Sequence, residues 1–460
     1  MRTALLFASL AAAAAGYVHV GVDLGTSGAR VAVLTPDRSV AYTASQPWPS
    51  AAGASDPAEW TAAVRALVAG IPAELRRQAS GIAVDGTSSS VLPVGPGLAP
   101  LAATRMYDYA VPPEAHRAAL ALMDAAGVPS THTVRAASST LSKALEWALA
   151  GDLAGGGEVA LCHQADYVAA ALLGTPTVTT DWHNALKLGY DVGALRWPAW
   201  MTDGPIAAAL SPAALPAVVE PGTPLGVAAP EFGLGPSCVV GAGTTDSIAA
   251  FLAAGADEPG DAVTSLGSTT ALKLLSTARA DDAALGVYSH RLWQDGSDAP
   301  LWLVGGASNA GCAVLRAENF DVAELEALSS AIDPATDTPL RYYPLTKPGE
   351  RFPVNDPAKE GVLGPVPADR KDHLHAILQG IADVEADGYA ALRALGATRL
   401  ERVFTAGGGA ANSMWREMRA RKLGVPVVAA ADADAASGAA VLAGKAAALA
   451  AAGGGGEVCA

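Results

Sequence analysis

Two short segments of this chain share one pattern: a strand, a Leu-Gly pair, two hydroxyl residues, a small residue and a second strand. They read VDLGTSGARVAV at residues 22–33 and TSLGSTTALKLL at residues 264–275. Because Asn-Gly or Asp-Gly is enough to turn an ordinary hairpin, the added hydroxyl groups indicate a loop that binds a ligand. Each copy opens one half of the chain, so the pattern predicts two related α/β domains, residues 1–255 and residues 256–460.

The composition is compatible with two packed domains and limits the kinds of partner. The chain has 460 residues, of which 51% are hydrophobic and 16% are charged, and about 150 residues per domain is a common size. The net charge of -15 disfavours nucleic acid and anionic membranes as partners, since both need clustered Lys and Arg. We therefore expect small-molecule partners, with no nucleic acid and no membrane.

The cysteines and the N-terminus bear on the compartment. The cysteines are far apart in the sequence, which argues against a disulfide framework and a structural zinc site; they are Cys162, Cys238, Cys312 and Cys459. We expect a cytoplasmic protein. The alternative is the plastid stroma, if the apolar residues 1–16 belong to a targeting signal. That run is shorter than the ~20 residues that span a bilayer.

Local signals predict several elements. Ser55 or Asp56 can cap a helix that has Pro57 in its first turn, and further helices are predicted at 140–150 and 165–173. The segment from 237 to 240 is typical of a strand. It leads into a Gly-rich turn and then a helix that begins near Asp246.

The turn at Gly25, Thr26 and Ser27 is typical of a phosphate-binding loop, because glycine lets backbone N–H groups approach phosphate oxygens and the hydroxyls add donors. Asp23 lies beside it, and a carboxylate next to a phosphate is repulsive unless Mg2+ or a proton lies between them. The alternative is a tight hairpin in which Asp23 makes a local side-chain bond. The second copy has Ser265 in place of Asp23, so only the first half offers a carboxylate at its turn.

The segment GAGTTDS at residues 241–247 offers a candidate general base. A sugar hydroxyl that attacks a γ-phosphoryl group needs a proton acceptor, and Asp246 follows glycines that can lie close to a substrate. An aspartate at the start of a helix is also a common N-cap. Spacing alone favours neither interpretation.

The order of several motifs resembles the FGGY family of carbohydrate kinases. The motifs are DLGTSGAR, DGTSSS, GTTDS, SLGSTTALK, GGASNAG and GGGAANSMWREMRARKLGVPV, and the resemblance runs from about Val18 to Gly444. Within the family, VDGTSSS is similar to the D-ribulose kinase branch of cyanobacteria and plants. The resemblance implies two actin- or hexokinase-like (ribonuclease H-like) domains, with ATP and sugar bound in a cleft between them.

The resemblance also implies roles for individual residues. The catalytic aspartate of the family falls on Asp246, and Asp23 is implied as a ligand of Mg2+. Contacts with ATP are implied for Gly25, Thr26, Ser27, Gly267, Ser268, Thr269, Gly408, Gly409, Asn412 and Trp415. Contacts with the sugar are implied for Asp23, Thr87, Ser88, Ser89, Asp108 and Asp246.

One segment departs from the pattern of the family. Where relatives carry an acid and an arginine on the sugar side, TRMYDYAVPP keeps Asp108 but has Tyr109 and Val111. This departure puts the identity of the sugar in doubt. A non-catalytic sugar sensor would also be compatible with it.

The hypothesis from the sequence is an ATP-dependent kinase of a small ketose, which converts D-ribulose to D-ribulose 5-phosphate. The nearest alternatives are kinases of another pentulose or polyol, such as xylulose or glycerol. A third class is a non-kinase ATPase of the actin or chaperone type, because such proteins share the fold. We expect a monomer or a homodimer.

Overall fold

The computed structural model describes residues 17–50, 52–153, 158–282, 284–292, 299–432 and 434–453. The chain divides into two compact units: Met1–Ala253 together with Asp434–Ala460 forms the first, and Ala254–Ala433 forms the second. Each unit contains a six-stranded sheet with helices packed against it. The α/β fold class predicted from the sequence is confirmed.

A β-sheet forms the centre of each unit. In chain order the strands are β1 Val18–Leu24, β2 Gly28–Leu34, β3 Val40–Pro47, β4 Ala79–Gly86, β5 Val91–Val94, β6 Ala160–His163, β7 Thr179–Asp181, β8 Ala217–Val219, β9 Pro224–Val227, β10 Val239–Thr245, β11 Asp261–Leu266, β12 Thr270–Ser276, β13 Tyr288–Arg291, β14 Trp302–Ser308, β15 Arg402–Ala406 and β16 Val427–Ala429. The first large sheet has the order β3-β2-β1-β4-β10-β9, and the second has the order β13-β14-β12-β11-β15-β16.

The two large sheets share a core arrangement. In the first, β1 pairs antiparallel with β2 and parallel with β4; in the second, β11 pairs antiparallel with β12 and parallel with β15. Both hairpin turns are short, and in both the backbone N–H of the glycine closes the turn. Gly25 donates to the carbonyl of Gly28, and Gly267 donates to that of Thr269, each over 3.0 Å. The repeated sequence pattern therefore marks the same structural element in both sheets.

Helices cover the sheets and connect them. In chain order they are α1 Pro57–Gly70, α2 Ala73–Gln78, α3 Pro113–Ala125, α4 Thr140–Ala150, α5 Gln164–Leu173, α6 Trp182–Ala185, α7 Ala199–Thr202, α8 Gly204–Ala209, α9 Asp246–Ala253, α10 Ala313–Ala317, α11 Val322–Ser330, α12 Arg370–Ala394, α13 Ser413–Leu423 and α14 Ala435–Ala451. Local signals explain the bounds of several. Asp56 caps α1 by accepting from the N–H of Ala58, and α4 ends at Gly151, whose φ of 81° suits glycine.

The last helix packs on the first unit. α14 lies against β1, β4 and β10, and this contact requires small residues. A Cβ on Gly21 would lie 1.8 Å from the carbonyl oxygen of Ala436, and one on Gly438 would lie 1.8 Å from that of Ala249. The division predicted from the sequence assigned residues 434–460 to the second domain, because no local signal shows that a helix packs on strands near the start of the chain.

The glycines before Asp246 have a different role from the predicted one. Residues 241–245 belong to β10 and do not form a turn. Gly243 lies so close to β4 that a Cβ there would be 1.9 Å from the carbonyl oxygen of Val84, and the register shifts between Gly241 and Thr244. The glycines therefore permit close packing of two strands. The helix that follows begins at Asp246, as predicted.

Two expectations about the compartment concern residues outside the described ranges. The segment 1–16 and Cys459 lie outside the described residues. The cysteines that are described, Cys162, Cys238 and Cys312, are free thiols. None of the described helices has the length and apolar character that crossing a membrane requires.

Candidate active site

Three aspartates of the first unit meet at the carboxyl ends of neighbouring strands. Asp23 and Asp85 are the penultimate residues of β1 and β4, and they lie directly opposite each other in the parallel register. Thr244 of β10 pairs with Asp85 from the other side, and Asp246 follows two residues later as the first residue of α9. Parallel strands end at the same edge of a sheet, so the three carboxylates share one edge.

Asp85 is the member of this group that is fully buried. Neither of its carboxylate oxygens has a hydrogen-bond partner among the described residues. Burial, together with the negative charges of Asp23 and Asp246, raises the pKa of Asp85 well above its usual range. A protonated Asp85 can donate to Asp23, whereas an ionised Asp85 needs a cation. The sequence analysis missed this residue, although its position opposite Asp23 follows from the pairing of two buried strands.

Asp23 is neutralised by an arginine from the hairpin. Arg30 Nη1 donates to Asp23 Oδ2 over 2.6 Å, and the two residues are cross-strand partners on β1 and β2. This bond raises the pKa of Arg30. Arg30 Nη2 also lies 3.5 Å from Ser27 Oγ, which brings a positive charge to the turn. The sequence analysis missed Arg30; a lone charge in an apolar strand, in register with Asp23, was the available signal.

The first predicted phosphate loop is accessible. Thr26 and Ser27 are exposed and Gly25 is half-buried, so their N–H and hydroxyl groups can reach a ligand. Arg30 forms a hydrogen bond with this loop through Ser27 Oγ. The loop thus has the donors and the positive charge that bind an anionic oxygen.

The second predicted phosphate loop has the same form and its own cation. Gly267, Ser268 and Thr269 are exposed, and Arg316 of α10 donates from Nη2 to Ser268 Oγ over 2.9 Å. The loop also accepts from the residue that precedes α10, since the N–H of Cys312 donates to the carbonyl of Gly267 over 2.8 Å. Arg316 is a second residue that the sequence analysis missed.

The predicted sugar residues fall into two adjoining segments. Residues 87–90 follow β4, and residues 105–108 are joined to them because the N–H of Tyr107 donates to Ser90 Oγ over 3.0 Å. Ser88 is half-buried and Asp108 is exposed. Ser89 has a φ of 68° and a buried hydroxyl without a hydrogen-bond partner in the described part of the chain. The structure therefore brings Ser88, Ser89 and Asp108 into one region.

Thr87 has a structural role in that region. Its Oγ1 lies 2.9 Å from Gln164 Oε1 and 2.5 Å from Ser90 Oγ, and its side chain is buried. These bonds fix the start of the Ser-rich segment against α5. Contact of the Thr87 hydroxyl with a sugar stays a prediction, which its present bonds do not favour.

The segment that departs from the family pattern forms a closed network. The hydroxyl of Tyr109 donates to Glu146 Oε1 over 2.6 Å, and Arg105 Nε donates to Glu146 Oε2 over 3.2 Å. The guanidinium of Arg105 also lies 4.3 Å from the centroid of the Tyr109 ring. Val111 is buried. Tyr109 therefore packs against an ion pair, and Val111 is a core residue.

The predicted adenosine residues lie around the start of α13. Gly408 is exposed and Gly409 is half-buried. Asn412 caps the helix, accepting from the N–H of Trp415 over 3.0 Å, and donates to Ser329 Oγ over 2.8 Å. Trp415 is buried and donates to the carbonyl of Leu378 over 2.9 Å. Its ring packs beneath Gly409, where a Cβ would lie 2.7 Å from it. Its contact with adenine stays a prediction, which this burial does not favour.

Asp23 and Asp85 offer two carboxylates as possible ligands of Mg2+, fewer than a complete protein site would need. In the described ranges, no group of three or more His, Cys, Asp or Glu side chains is placed to hold a metal ion. Mg2+ is, however, often held by one or two carboxylates, with phosphates and water completing its shell. Asp85, with two unpartnered oxygens, and the adjacent Asp23 can supply that smaller set.

The fold matches those of solved sugar kinases. A xyloylose kinase from Brucella ovis has a TM-score of 0.76 and 23% identity, over 96% of this chain and 92% of that one. A xylulose kinase from Rhodospirillum rubrum has a TM-score of 0.75 and 24% identity, over 93% and 89%. A glycerol kinase from Plasmodium falciparum, solved with ADP, has a TM-score of 0.75 and 16% identity, over 93% and 89%. These similarities establish the actin- or hexokinase-like fold.

Sequence similarity identifies a domain in the second half of the chain. Residues 262–447 match the C-terminal domain of the FGGY family of carbohydrate kinases. That range contains the second hairpin loop, α10, and the glycines that precede α13. The chain therefore carries a C-terminal domain of the type found in the FGGY family of carbohydrate kinases.

Proposed function

We propose that the protein transfers the γ-phosphoryl group of ATP to a small ketose, and that D-ribulose is converted to D-ribulose 5-phosphate. The observation that carries the proposal is the group of three aspartates at one sheet edge, in which Asp85 is buried and unneutralised. An ionised carboxylate there would be destabilising by itself, and carboxyl groups with perturbed pKa values of this kind concentrate at catalytic sites. The FGGY C-terminal domain and the fold support the reaction class.

Asp246 is the general base in this proposal. Its carboxylate is half-buried and accepts from the N–H of Ser247 over 2.6 Å, a bond that orients it at the start of α9. A base in this position accepts the proton of the attacking sugar hydroxyl. An aspartate at the start of a helix can also serve only to stabilise that helix, and a measurement of turnover decides between the two roles.

Asp23 and Asp85 are the proposed ligands of Mg2+. When bound, the ion would neutralise both carboxylates and the phosphate oxygens of ATP. Arg30 competes for Asp23, because its ion pair holds one carboxylate oxygen. The two unpartnered oxygens of Asp85 have no such competitor among the described residues.

ATP contacts are proposed in each unit. In the first, Gly25, Thr26 and Ser27 present donors beside Arg30. In the second, the exposed loop at 267–269 presents donors beside Arg316. The exposed backbone at Gly408 and Gly409 is the proposed surface for the adenosine moiety, with Asn412 at its edge.

D-Ribulose is the proposed acceptor, and other small acceptors are its alternatives. The xylulose and glycerol kinases of similar fold make those two compounds the first alternatives. The test is a coupled assay of ADP release with purified protein, ATP and Mg2+, over D-ribulose, D-xylulose, glycerol and a panel of aldoses. We expect turnover that depends on the acceptor and is fastest with D-ribulose. Fast ATP hydrolysis without any acceptor would instead favour the ATPase alternative.

A further inference from the structure

A lysine lies buried beneath the proposed sugar residues. Lys143 of α4 has no exposed surface, and its Nζ donates to the carbonyl of Ser89 over 2.8 Å and to that of Met106 over 2.7 Å. Ser89 belongs to the Ser-rich segment 87–90, and Met106 belongs to the segment that carries Asp108. One ammonium group therefore joins the two segments that carry the proposed sugar contacts.

The surroundings of this ammonium differ from those of a structural ion pair. Across the described residues, no carboxylate lies within salt-bridge distance of Lys143 Nζ. The charged groups that face it more distantly are Lys187, Asp108, Arg105 and Glu146. Burial lowers the pKa of Lys143 to about 7. A buried cation without an ion pair is unfavourable, so an apolar side chain of similar length would serve better if packing were the only role.

The carbonyl that Lys143 holds comes from a strained residue. Ser89 has a φ of 68°, a left-handed conformation that non-glycine residues adopt only when their surroundings enforce it. The hydroxyl of the same residue is buried without a partner among the described residues, although buried hydroxyls are nearly always hydrogen-bonded. The bond from Lys143 thus fixes a backbone conformation that leaves a donor and acceptor unused.

We propose that Lys143 is a positioning residue of the acceptor site, and that its ammonium holds Ser89 and Met106 so that Ser88, Ser89 and Asp108 together bind the hydroxyl groups of a polyol. The inference rests on the proposed function, since it assigns the acceptor sugar to this region. It adds a residue that acts through the backbone of the two segments and does not contact the sugar itself.

The first test separates sugar binding from ATP binding. Lys143→Met keeps an unbranched side chain of nearly the same length and removes the ammonium group. We expect the dissociation constant of D-ribulose to rise by about tenfold or more, as loss of charged hydrogen bonds implies, while that of a non-hydrolysable ATP analogue changes by less than about twofold. Isothermal calorimetry measures both, with D-xylulose and glycerol run in parallel.

Ser142→Ala is the matched control. Ser142 is the preceding residue of α4, is also buried, and also bonds a backbone carbonyl, that of Ala136 over 2.9 Å. That carbonyl lies outside both sugar segments, so the control should leave both affinities unchanged. Unchanged sugar affinity in Lys143→Met would overturn the inference, and so would an equal loss of sugar and ATP affinity, which indicates a general folding role.

A second test does not depend on folding of the methionine variant. Because the pKa of Lys143 is about 7, the ammonium loses its charge between about pH 6 and pH 8, and the affinity of the wild-type protein for D-ribulose should fall over that interval. Lys143→Arg stays charged and should lack this fall. Identical pH dependence in the two proteins would overturn the inference, since another group would then be responsible.

Different results would exclude the proposed function and the role of Lys143. A wild-type protein that neither binds nor phosphorylates any acceptor removes the proposed function, and the role of Lys143 with it. A wild-type protein that phosphorylates D-ribulose, with variants at Lys143 that bind it equally well, removes only the role of Lys143.

Discussion

Each unit buries a carboxylate against its central strands, Asp85 in the first and Glu385 in the second. Glu385 of α12 is fully paired: Arg419 donates to both of its oxygens over 2.6 and 2.7 Å, and Thr264 donates to one of them over 2.6 Å. Arg419 also donates to Thr405 over 2.7 Å. Asp85 has no such partner in the described chain.

The difference separates a structural charge from a functional one. Buried ionic groups in folded proteins are normally paired and hydrogen-bonded, and the network around Glu385 follows that rule while joining α12 and α13 to the sheet. Asp85 departs from the rule at the edge where Asp23 and Asp246 also lie. The negative charges of these two neighbouring acids make an ionised Asp85 still less favourable. Asp85 therefore needs a bound cation or a proton. Four substitutions can break or sharpen this comparison.

The largest effect is expected at the proposed base. Asp246→Asn keeps the size and the bond from Ser247 but removes the proton acceptor, so sugar-dependent turnover should fall by ~10²–10⁴-fold with little change in ATP affinity. Steady-state kinetics and calorimetry measure the two quantities. Ser247→Ala is the control, because the bond to Asp246 uses the backbone of that residue. A variant with more than about half of the wild-type turnover would exclude Asp246 as the base.

A large loss of stability is expected in the second unit. Glu385→Gln leaves the buried guanidinium of Arg419 without its counter-charge, so the free energy of unfolding should fall by roughly 3–5 kcal/mol. Urea denaturation followed by circular dichroism measures it. A loss below about 1 kcal/mol, the usual size for an exposed ion pair, would mean that the pair of Glu385 and Arg419 does not stabilise the second unit as a buried ion pair.

At Asp85, in contrast to Glu385, we expect substitution to increase the free energy of unfolding. The pKa of Asp85 is raised in the folded protein, so the folded state binds this proton more tightly than the unfolded state does. The contribution of Asp85 to stability therefore declines as the pH rises from about 4, the unfolded pKa, toward the folded pKa. Asp85→Asn removes this titration and should be more stable than the wild type at pH 7 by on the order of 1 kcal/mol, while turnover falls.

Denaturation at pH 5 and pH 8 without Mg2+ measures this effect. The difference in unfolding free energy between the variant and the wild type should be larger at pH 8. A variant that is less stable than the wild type at pH 8 would show that Asp85 has a stabilising partner, and the contrast with Glu385 would then be lost.

The smallest effect is expected at the hairpin. Asp23→Ala removes one proposed ligand but leaves Asp85, so the Mg2+ concentration for half-maximal rate should rise roughly fivefold, the factor that about 1 kcal/mol supplies. Ser265→Ala changes the corresponding position of the second hairpin and should leave the Mg2+ requirement unchanged. Equal requirements in wild type and Asp23→Ala would favour the alternative in which Asp23, paired with Arg30, only stabilises the turn.

Much of the local structure could be predicted from the sequence. The hairpin turns follow from Gly and hydroxyl residues between apolar strands, and the start of α1 follows from Asp56 and the proline after it. The bounds of α4 agree with its apolar spacing. These features depend on residues within a few positions of one another, so each can be recognised from a short segment.

Long-range contacts explain what the sequence analysis missed. Lys143 meets the carbonyl of Ser89 across 54 positions, and Arg316 reaches Ser268 across 48. The glycines of β10 looked like a turn because only their distance to β4 shows why a side chain is excluded. Trp415 looked accessible because its burial depends on α12, whose Leu378 accepts its N–H.

The sequence by itself determined that two related α/β units are built on Gly-hydroxyl hairpins, and that Asp23 lies beside the first hairpin and Asp246 at the start of a helix. Periodicity, turn chemistry and helix capping are short-range properties, and they are written in consecutive residues. Only the tertiary structure decided that Asp85 stands unpartnered beside Asp23, whereas Glu385 is neutralised by Arg419. The physical reason is that the energy of a buried charge depends on its neighbours in space, and strand order and helix packing choose those neighbours from distant parts of the chain.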